Sequence, residues 1–269
     1  MKRRTGVPMR SPAGAFDLRA ALCTEVEAAI EELNPQPDGA VHACRVRLKR
    51  ARAIARIGRA GAPGLASVFD ETARGVMRTL AAARTSRALA VTARKFAKKA
   101  RGKEARAFEA MAHAFEAAPT PTLDLQAAHA GLKDLLALAH VWPEASPRQI
   151  QRGARRIAGK ARRAFRRAHA SGDASLRHDW RKREKDRLFA AMSLGTSWPG
   201  RRRRKLGADL GEILGRERDA SLLLRHMDAA PVLANEERGS ERAARTLQKR
   251  CKRLARQADA LGARLHRRD

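Results

Sequence analysis

The stretch VHACRVRLKRARAIARI, residues 41–57, decides how this chain folds and what its surface can bind. Its cations are three or four residues apart, which places them in one narrow arc of an α-helix with about 3.6 residues per turn. An apolar stripe runs beside this arc, so the cations are predicted to line a groove next to the helical core. Like charges at this spacing repel one another, and a row that persists despite this repulsion indicates an extended polyanion as the ligand. The basic row consists of His42, Arg45, Lys49, Arg52 and Arg56.

The same pattern returns in the second half of the chain. The segment LRHDWRKREKDRLF, residues 176–189, carries His178, Arg181 and Lys185 with the spacing of the first three residues of the earlier row, 136 residues further on. Two rows at matching places indicate a duplicated ligand site. The histidine of each row is predicted to donate a hydrogen bond to a phosphate oxygen, and the bound anion would raise its pKa. Affinity is therefore expected to rise as the pH falls from about 8 to 6.

Composition restricts the class of protein. The 269 residues include 58 Lys plus Arg against 28 Asp plus Glu, for a net charge of +30. Such an excess attracts nucleic acid, polyphosphate or an anionic membrane surface. With no Tyr and only 4% aromatic residues, the core must consist mainly of Ala and Leu, which favour helix. Three cysteines without regular spacing fit a reducing compartment, and no stretch is apolar enough to span a bilayer. The chain is predicted to be an all-α, cytoplasmic protein.

Proline and glycine divide the chain into helices, and WPEASP at residues 142–147 is the best boundary between two halves. Residues 1–14 are predicted to be a basic, flexible N-terminal segment, residues 15–143 a first helical bundle and residues 144–265 a second. Basic faces on two long helices after the boundary are predicted to form a secondary rim around the main site. The rim residues are Arg148, Arg152, Arg155, Arg166, Arg242, Arg245, Lys249 and Lys252.

The motifs resemble those of the conserved histidine α-helical domain (CHAD) family. In each half, a shorter segment similar to the family's L-G-x-x-R-D-x-D motif follows the basic row. The four segments occur in the family's order with nearly equal offsets between the halves, and the resemblance covers roughly residues 15–260. They are VHACRVRLKRARA at 41–53, LAAARTSRALAV at 80–91, LRHDWRKREKDRLF at 176–189 and LGEILGRERDASLLL at 210–224.

The resemblance adds two residues to the candidate site, Arg84 and Arg218, one from each of the shorter motifs. The chain also departs from the family pattern. Ala81 replaces the first glycine of the earlier short motif, which weakens the match there. Asp186 and Leu188 stand where the family has cations, so the second basic row is expected to be shorter than the first, and the two halves are expected to contribute unequally.

The resemblance implies two antiparallel four-helix bundles related by internal duplication and pseudo-twofold symmetry, with basic residues gathered toward a central groove or pore. It also implies non-catalytic binding of inorganic polyphosphate and association with polyphosphate granules, without a cofactor or a metal. The residues fit this ligand on physical grounds as well. A polyphosphate chain needs repeated charge-assisted hydrogen bonds, and it does not need the aromatic stacking platforms that bind bases.

Nucleic acid is the main alternative ligand, because the net charge and the Arg-rich helices suit it equally well. Weak, non-specific nucleic-acid binding at low salt is expected of any polyphosphate binder, but no helix-turn-helix, zinc-finger or basic-zipper pattern occurs. Histidine phosphotransfer is a remote catalytic alternative that would need a carboxylic acid near His42, and the helix of His42 contains none. Membrane binding is not expected, since the Ala-rich faces suit helix packing. The sequence predicts no oligomeric state.

Overall fold

The computed structural model describes residues 16–33, 39–81, 85–118, 123–200, 203–229 and 237–267. Within these ranges the chain forms ten α-helices, one 3-10 turn at Gly195–Ser197 and no β-strand, so the all-α prediction is confirmed. The predicted N-terminal segment 1–14 lies outside the described residues. The helices are α1 (Leu18–Glu31), α2 (Ala40–Gly58), α3 (Pro63–Thr79), α4 (Thr85–Ala97), α5 (Gly102–Ala117), α6 (Leu125–His140), α7 (Pro147–Ser171), α8 (Ala174–Leu194), α9 (Arg204–Ala229) and α10 (Glu237–His266).

Cap residues set the boundaries of the two helices that carry most of the second half's cations. α7 begins with a capping box, in which the Ser146 hydroxyl accepts from the backbone N–H of Gln149 and the Gln149 side chain accepts from the backbone N–H of Ser146. Such a box satisfies two N–H groups that have no partner within the helix. α7 ends at Gly172, whose φ of 67° suits glycine. The Asp173 carboxylate then caps α8, so α7 and α8 form a tight helical hairpin.

Three apolar cores hold the helices together. The first core lies among α1, α2, α3 and α6, and includes Leu48 and Phe69. The second core joins α4 and α5 to the later part of α9 and the earlier part of α10, where Phe108 packs with Leu247. The third core lies among α7, α8 and the remaining parts of α9 and α10, around Trp180. Burial of these apolar side chains is the main force that stabilises the fold.

The cores extend across the predicted boundary between residues 143 and 144. Ile150 and Ala154 of α7 and Ala191 of α8 lie in the first core, with residues from the first half. In the second core, α4 and α5 from the first half pack against α9 and α10 from the second. The two halves are therefore interlocked, and their description as two separate four-helix bundles related by a twofold axis stays a prediction.

Gly153 of α7 lies directly against the backbone of α2. A Cβ added at Gly153 would lie 2.0 Å from the carbonyl oxygen of Ile57, so the backbone of one helix would have to move. We expect Gly153→Ala to lower the free energy of unfolding by about 1–3 kcal/mol. Gly211 in α9 is the matched control, because a Cβ there meets no atom within 4 Å, and Gly211→Ala should stabilise the protein by about 0.5–1 kcal/mol. Urea unfolding followed by circular dichroism measures both, and equal changes would contradict the close approach.

Candidate anion-binding clefts

The second basic row lies in a groove between α8 and α9, which we call the α8–α9 cleft. His178 and Arg181 of α8 line it together with Arg218 of α9. The structure thus brings together His178 and Arg218, which belong to different sequence motifs and are 40 positions apart in the chain. Lys185 is half-buried further along α8 and does not line this cleft. Of the four primary candidate residues in the second half, three therefore line the cleft and the fourth, Lys185, lies beside it.

The environment of His178 is strongly electropositive. Burial, together with the positive charges of Lys182, Arg218 and Arg181, lowers the pKa of His178 to about 4. Its Nδ1 atom is buried and has no hydrogen-bond partner among the residues that the structure describes. Burial and the charges of Arg225 and Arg181 also lower the pKa of Arg218. A bound anion would relieve this repulsion, because an opposite charge favours the charged form of a base.

The low pKa bears on one expectation from the sequence. The histidine of each row is expected to gain affinity for an anion as the pH falls from about 8 to 6. Without an anion, however, His178 takes up a proton only near its pKa of about 4. The pH range in which protonation of this histidine can strengthen anion binding therefore extends down to about 4.

A buried arginine supports the floor of the α8–α9 cleft. The Arg177 side chain is nearly inaccessible to solvent and donates to both carboxylate oxygens of Glu217 in α9, and at 2.9 Å to Asp259 in α10. Its guanidinium also donates to the Ala255 carbonyl at 3.2 Å and lies 5.4 Å from the centre of the Trp180 ring. Glu217 lines the cleft, and its pairing with Arg177 offsets a negative charge that would otherwise repel an anion.

The first basic row faces α3. His42 is exposed, whereas the other four members of the row are partly buried. Arg45 donates to the Met77 carbonyl of α3. Arg52 donates to a carboxylate oxygen of Asp70 at 2.9 Å, and Arg56 to the same oxygen at 2.7 Å.

Asp70 is the centre of a buried ion-pair network. Besides Arg52 and Arg56, it pairs with Arg74 through its other oxygen. Burial opposes ionisation of Asp70, but the Arg52 hydrogen bond and the charges of all three arginines outweigh it and lower the pKa of the carboxyl group. Arg52 and Arg56 are predicted to contact phosphate, yet in the structure they are engaged by carboxylates. The other members of this row are His42, Arg45 and Lys49.

Asp186 joins the two basic rows. Arg56 of α2 donates to Asp186 of α8 at 2.5 Å, and Arg50 lies 6.0 Å from the centre of the Phe189 ring. Burial raises the pKa of the Asp186 carboxyl group above its ordinary value, and the positive charge of Arg56 opposes this rise only in part. The departure from the family pattern at this position thus provides an ion pair across the α2–α8 contact. Residues 50 and 56 of α2 contact residues 189 and 186 of α8, so the two helices run in opposite directions where they cross. His42 and His178, near the start of each helix, therefore lie on opposite sides of the crossing point.

Beyond Arg56, the first row continues on α7. A small cleft there is lined by Arg56, Arg156, Lys160 and Arg183. Burial lowers the pKa of Lys160, and the charges of Arg156 and Arg183 lower it further. The sequence-based prediction missed Arg156 and Lys160. Their signal was the four-residue spacing of Arg152, Arg156 and Lys160, which places the three on one face of α7.

The predicted rim occupies two different surfaces. Arg148, Arg152 and Arg155 line a groove at the start of α7. Lys249 lies in a wider groove that α10 forms with α4 and α9, and Arg245 forms an ion pair within α10. The remaining rim residues, all of them exposed, are Arg166, Arg242 and Lys252.

Arg84 lies outside the described residues, so its predicted place beside the first row stays a prediction. No group of three or more His, Cys, Asp or Glu side chains that could hold a metal ion occurs in the described part of the chain. None of the described helices is long and apolar enough to cross a membrane. Near His178, Asp179 pairs with Arg167 and Arg183.

The fold and the clefts define an all-α protein with a basic groove beside each of two motif helices. A family model described as the CHAD domain matches residues 17–227. The structure is similar to the crystal structure of the CHAD domain from the plant Ricinus communis, with a TM-score of 0.54, 19% sequence identity and 98% coverage of both chains. No curated protein matches the chain significantly. The chain belongs to the CHAD domain family, and the resemblance noted from the sequence is confirmed at the level of family and fold.

Proposed function

We propose that this protein binds inorganic polyphosphate, without catalysing its breakdown, and associates with polyphosphate granules in the cytoplasm. The observation that carries this proposal is the convergence of His178, Arg181 and Arg218 in the α8–α9 cleft. Burial and the surrounding positive charges lower the pKa of the histidine, and a bound anion would relieve the repulsion among these charges. The one carboxylate that lines it, Glu217, is already paired with Arg177.

The chemistry of the ligand suits the cleft. Polyphosphate carries about one negative charge per unit, like the backbone of a nucleic acid, and its binding releases counterions. Arginine grips phosphate oxygens with a planar fork of donors. Three arginines of the described ranges line the α8–α9 cleft: Arg181, Arg218 and Arg177, the last of which is paired with Glu217 and Asp259. No aromatic side chain lines the cleft, which favours a ligand without bases.

The two halves are proposed to contribute unequally, with the α8–α9 cleft as the stronger site. The first row is longer in sequence, but Asp70 and Asp186 offset the charges of Arg52 and Arg56. The remaining part of that row, including Arg45 and Lys49, extends the binding surface along α2. A long polyphosphate chain could thereby contact α2 and α8 on both sides of the point where these helices cross.

A competition titration at about 150 mM salt, near physiological ionic strength, tests the proposal. Labelled long-chain polyphosphate is displaced by unlabelled polyphosphate, duplex DNA or single-stranded RNA. We expect polyphosphate to bind most tightly, and the Arg181→Ala/Arg218→Ala variant to bind it roughly 100-fold more weakly, because each arginine donates charge-assisted hydrogen bonds. The slope of log affinity against log salt should fall by about 0.7 for each lost phosphate contact.

The matched control is Lys103→Ala/Lys133→Ala, which removes the same charge from two exposed side chains outside the described clefts. This control should change the affinity by less than about threefold, since exposed charges act weakly at this salt concentration. If DNA competes as well as polyphosphate, or if both variants lose the same affinity, the cleft is not a polyphosphate site and the basic surface binds polyanions without preference.

The pH dependence of binding gives a separate test. A bound anion raises the pKa of His178 above its value of about 4. Between these two pKa values the bound protein holds the extra proton, so affinity increases as the pH falls. We expect affinity to be level from pH 8 to 7 and to rise several-fold from about pH 7 to 5 at constant salt. His178→Asn should remove this rise, and an equal rise in that variant would assign it to another group.

A further inference from the structure

A second basic pocket lies between α7, α8 and the end of α10, and we call it the α7–α10 pocket. Its volume is about 360 Å³, and it shares no lining residue with the α8–α9 cleft. Among the described residues, its lining side chains include six cationic or titratable basic groups from separate parts of the chain and no carboxylate. These six are Arg155, Arg162, Arg187, Arg203, His266 and Arg267.

Two of these arginines are fixed in the wall by contacts within the protein. Arg187 is 5% exposed and donates at 2.9 Å to Glu184, which is 1% exposed. Glu184 also accepts from the Trp180 indole at 3.0 Å and forms a short contact with His266. Arg203 donates to carbonyl groups at the end of α10, at 3.0 Å for that of Leu265. The Arg203 charge therefore offsets the negative end of the α10 dipole, which would otherwise repel an anion.

Two other arginines of the lining belong to α7 and have no carboxylate partner in the part of the chain that the structure describes. Arg155 and Arg162 are seven residues apart, or about two helical turns and roughly 10 Å along the axis. Neither forms an ion pair with any residue of the described ranges. Trp198 and Pro199 also line the pocket and contribute apolar surface. Arg187 and Arg203 are thus held in place by contacts within the protein, whereas the arginines of α7 add positive charge that no described carboxylate offsets.

We propose that the α7–α10 pocket binds a triphosphate group, from either inorganic triphosphate or a nucleoside triphosphate. Its volume is near the lower end of the range for small-molecule sites, which fits a compact anion. An anion that reaches both Arg155 and Arg162 must carry its charges over several ångströms, which one phosphate cannot do. Guanidinium groups bind such phosphates through paired hydrogen bonds. This site is separate from the cleft of the proposed function and does not depend on it.

Titration calorimetry of the full chain with inorganic triphosphate, and with ATP in the absence of magnesium, tests the site. Arg155→Ala/Arg162→Ala should weaken triphosphate binding at least tenfold, and by a larger factor than it weakens the binding of long-chain polyphosphate. The control is Arg148→Ala/Arg166→Ala, which removes two exposed arginines of the same helix that do not line this pocket. Trp198 provides a second readout, because triphosphate should change the tryptophan fluorescence of the wild type and not of Trp198→Phe.

The two variants separate this proposal from the polyphosphate proposal. If Arg155→Ala/Arg162→Ala binds triphosphate like the control, or if the wild type does not bind it, the pocket is not a triphosphate site, whatever the α8–α9 cleft binds. If the Arg181→Ala/Arg218→Ala variant loses long-chain polyphosphate and keeps triphosphate, the two sites are distinct. Equal affinities for the two ligands would support an inorganic ligand, and tighter binding of ATP would support a nucleoside triphosphate against Trp198.

Discussion

Asp70→Asn should lower the free energy of unfolding by about 3–5 kcal/mol, the usual cost of removing one partner from a buried ion pair. Asp70 is 7% exposed and holds Arg52, Arg56 and Arg74. The amide keeps the shape of the side chain but leaves three guanidinium groups without the charge that brings them together. The destabilisation therefore arises from uncompensated positive charge, and not from a cavity.

The same substitution should increase the affinity for polyphosphate several-fold, because Arg52 and Arg56 become available to phosphate oxygens. Saturating polyphosphate should then restore more stability to Asp70→Asn than to the wild type, as expected for a ligand that binds the folded state. Urea unfolding with and without polyphosphate measures both effects.

An exposed ion pair provides the comparison for Asp70. Glu212 pairs with Arg216 on the surface of α9, and Glu212→Gln should cost no more than about 0.5 kcal/mol. Asp70 would not be the centre of a stabilising network if the two substitutions had similar effects. Lower affinity of Asp70→Asn for polyphosphate would mean that Arg52 and Arg56 do not contact the ligand.

Arg177→Met should also cost about 3–5 kcal/mol, for the opposite reason. Methionine fills a similar volume but leaves Glu217 and Asp259 without the guanidinium that neutralises them. The unpaired Glu217 carboxylate would then stand in the lining of the α8–α9 cleft. We therefore expect weaker polyphosphate binding by Arg177→Met, even though the substituted side chain is not a proposed phosphate ligand.

Removing the two carboxylates separates this electrostatic explanation from a packing defect. The triple variant Arg177→Met/Glu217→Gln/Asp259→Asn no longer leaves a buried negative charge without a partner, so it should regain most of the lost stability. Urea unfolding of both variants measures this recovery. A stability loss that the triple variant does not rescue would show that Arg177 acts mainly through packing.

The sequence predicted the features that depend on local periodicity. The stripe that contains Cys44 and Leu48 is buried beside the basic row, as the spacing in residues 41–57 required. On the neighbouring face of α2, Arg47 and Arg50 pair with Glu25 of α1. The burial of the stripe could be predicted because each helix presents a fixed face to its neighbours.

The features that the sequence did not predict depend on contacts between distant segments. Asp70 lies on a different helix from Arg52, and nothing in its local pattern marks it as a partner. In the sequence, Asp186 interrupts the second row of cations. In the structure, it forms an ion pair with Arg56 of the first row. The low pKa of His178 arises partly from Arg218, 40 positions away. Such pairings become visible only once the packing of α2, α3, α8 and α9 is known.

The interlocking of the two halves affects how the chain can fold during synthesis. The apolar faces of α4 and α5 are covered by α9 and α10, which leave the ribosome more than 80 residues later. Until then, the hairpin of α4 and α5 exposes Leu89 and Phe108 to solvent. Such long-range pairings slow folding, and transiently exposed apolar surface promotes aggregation. The large net positive charge of the nascent chain opposes self-association during this interval.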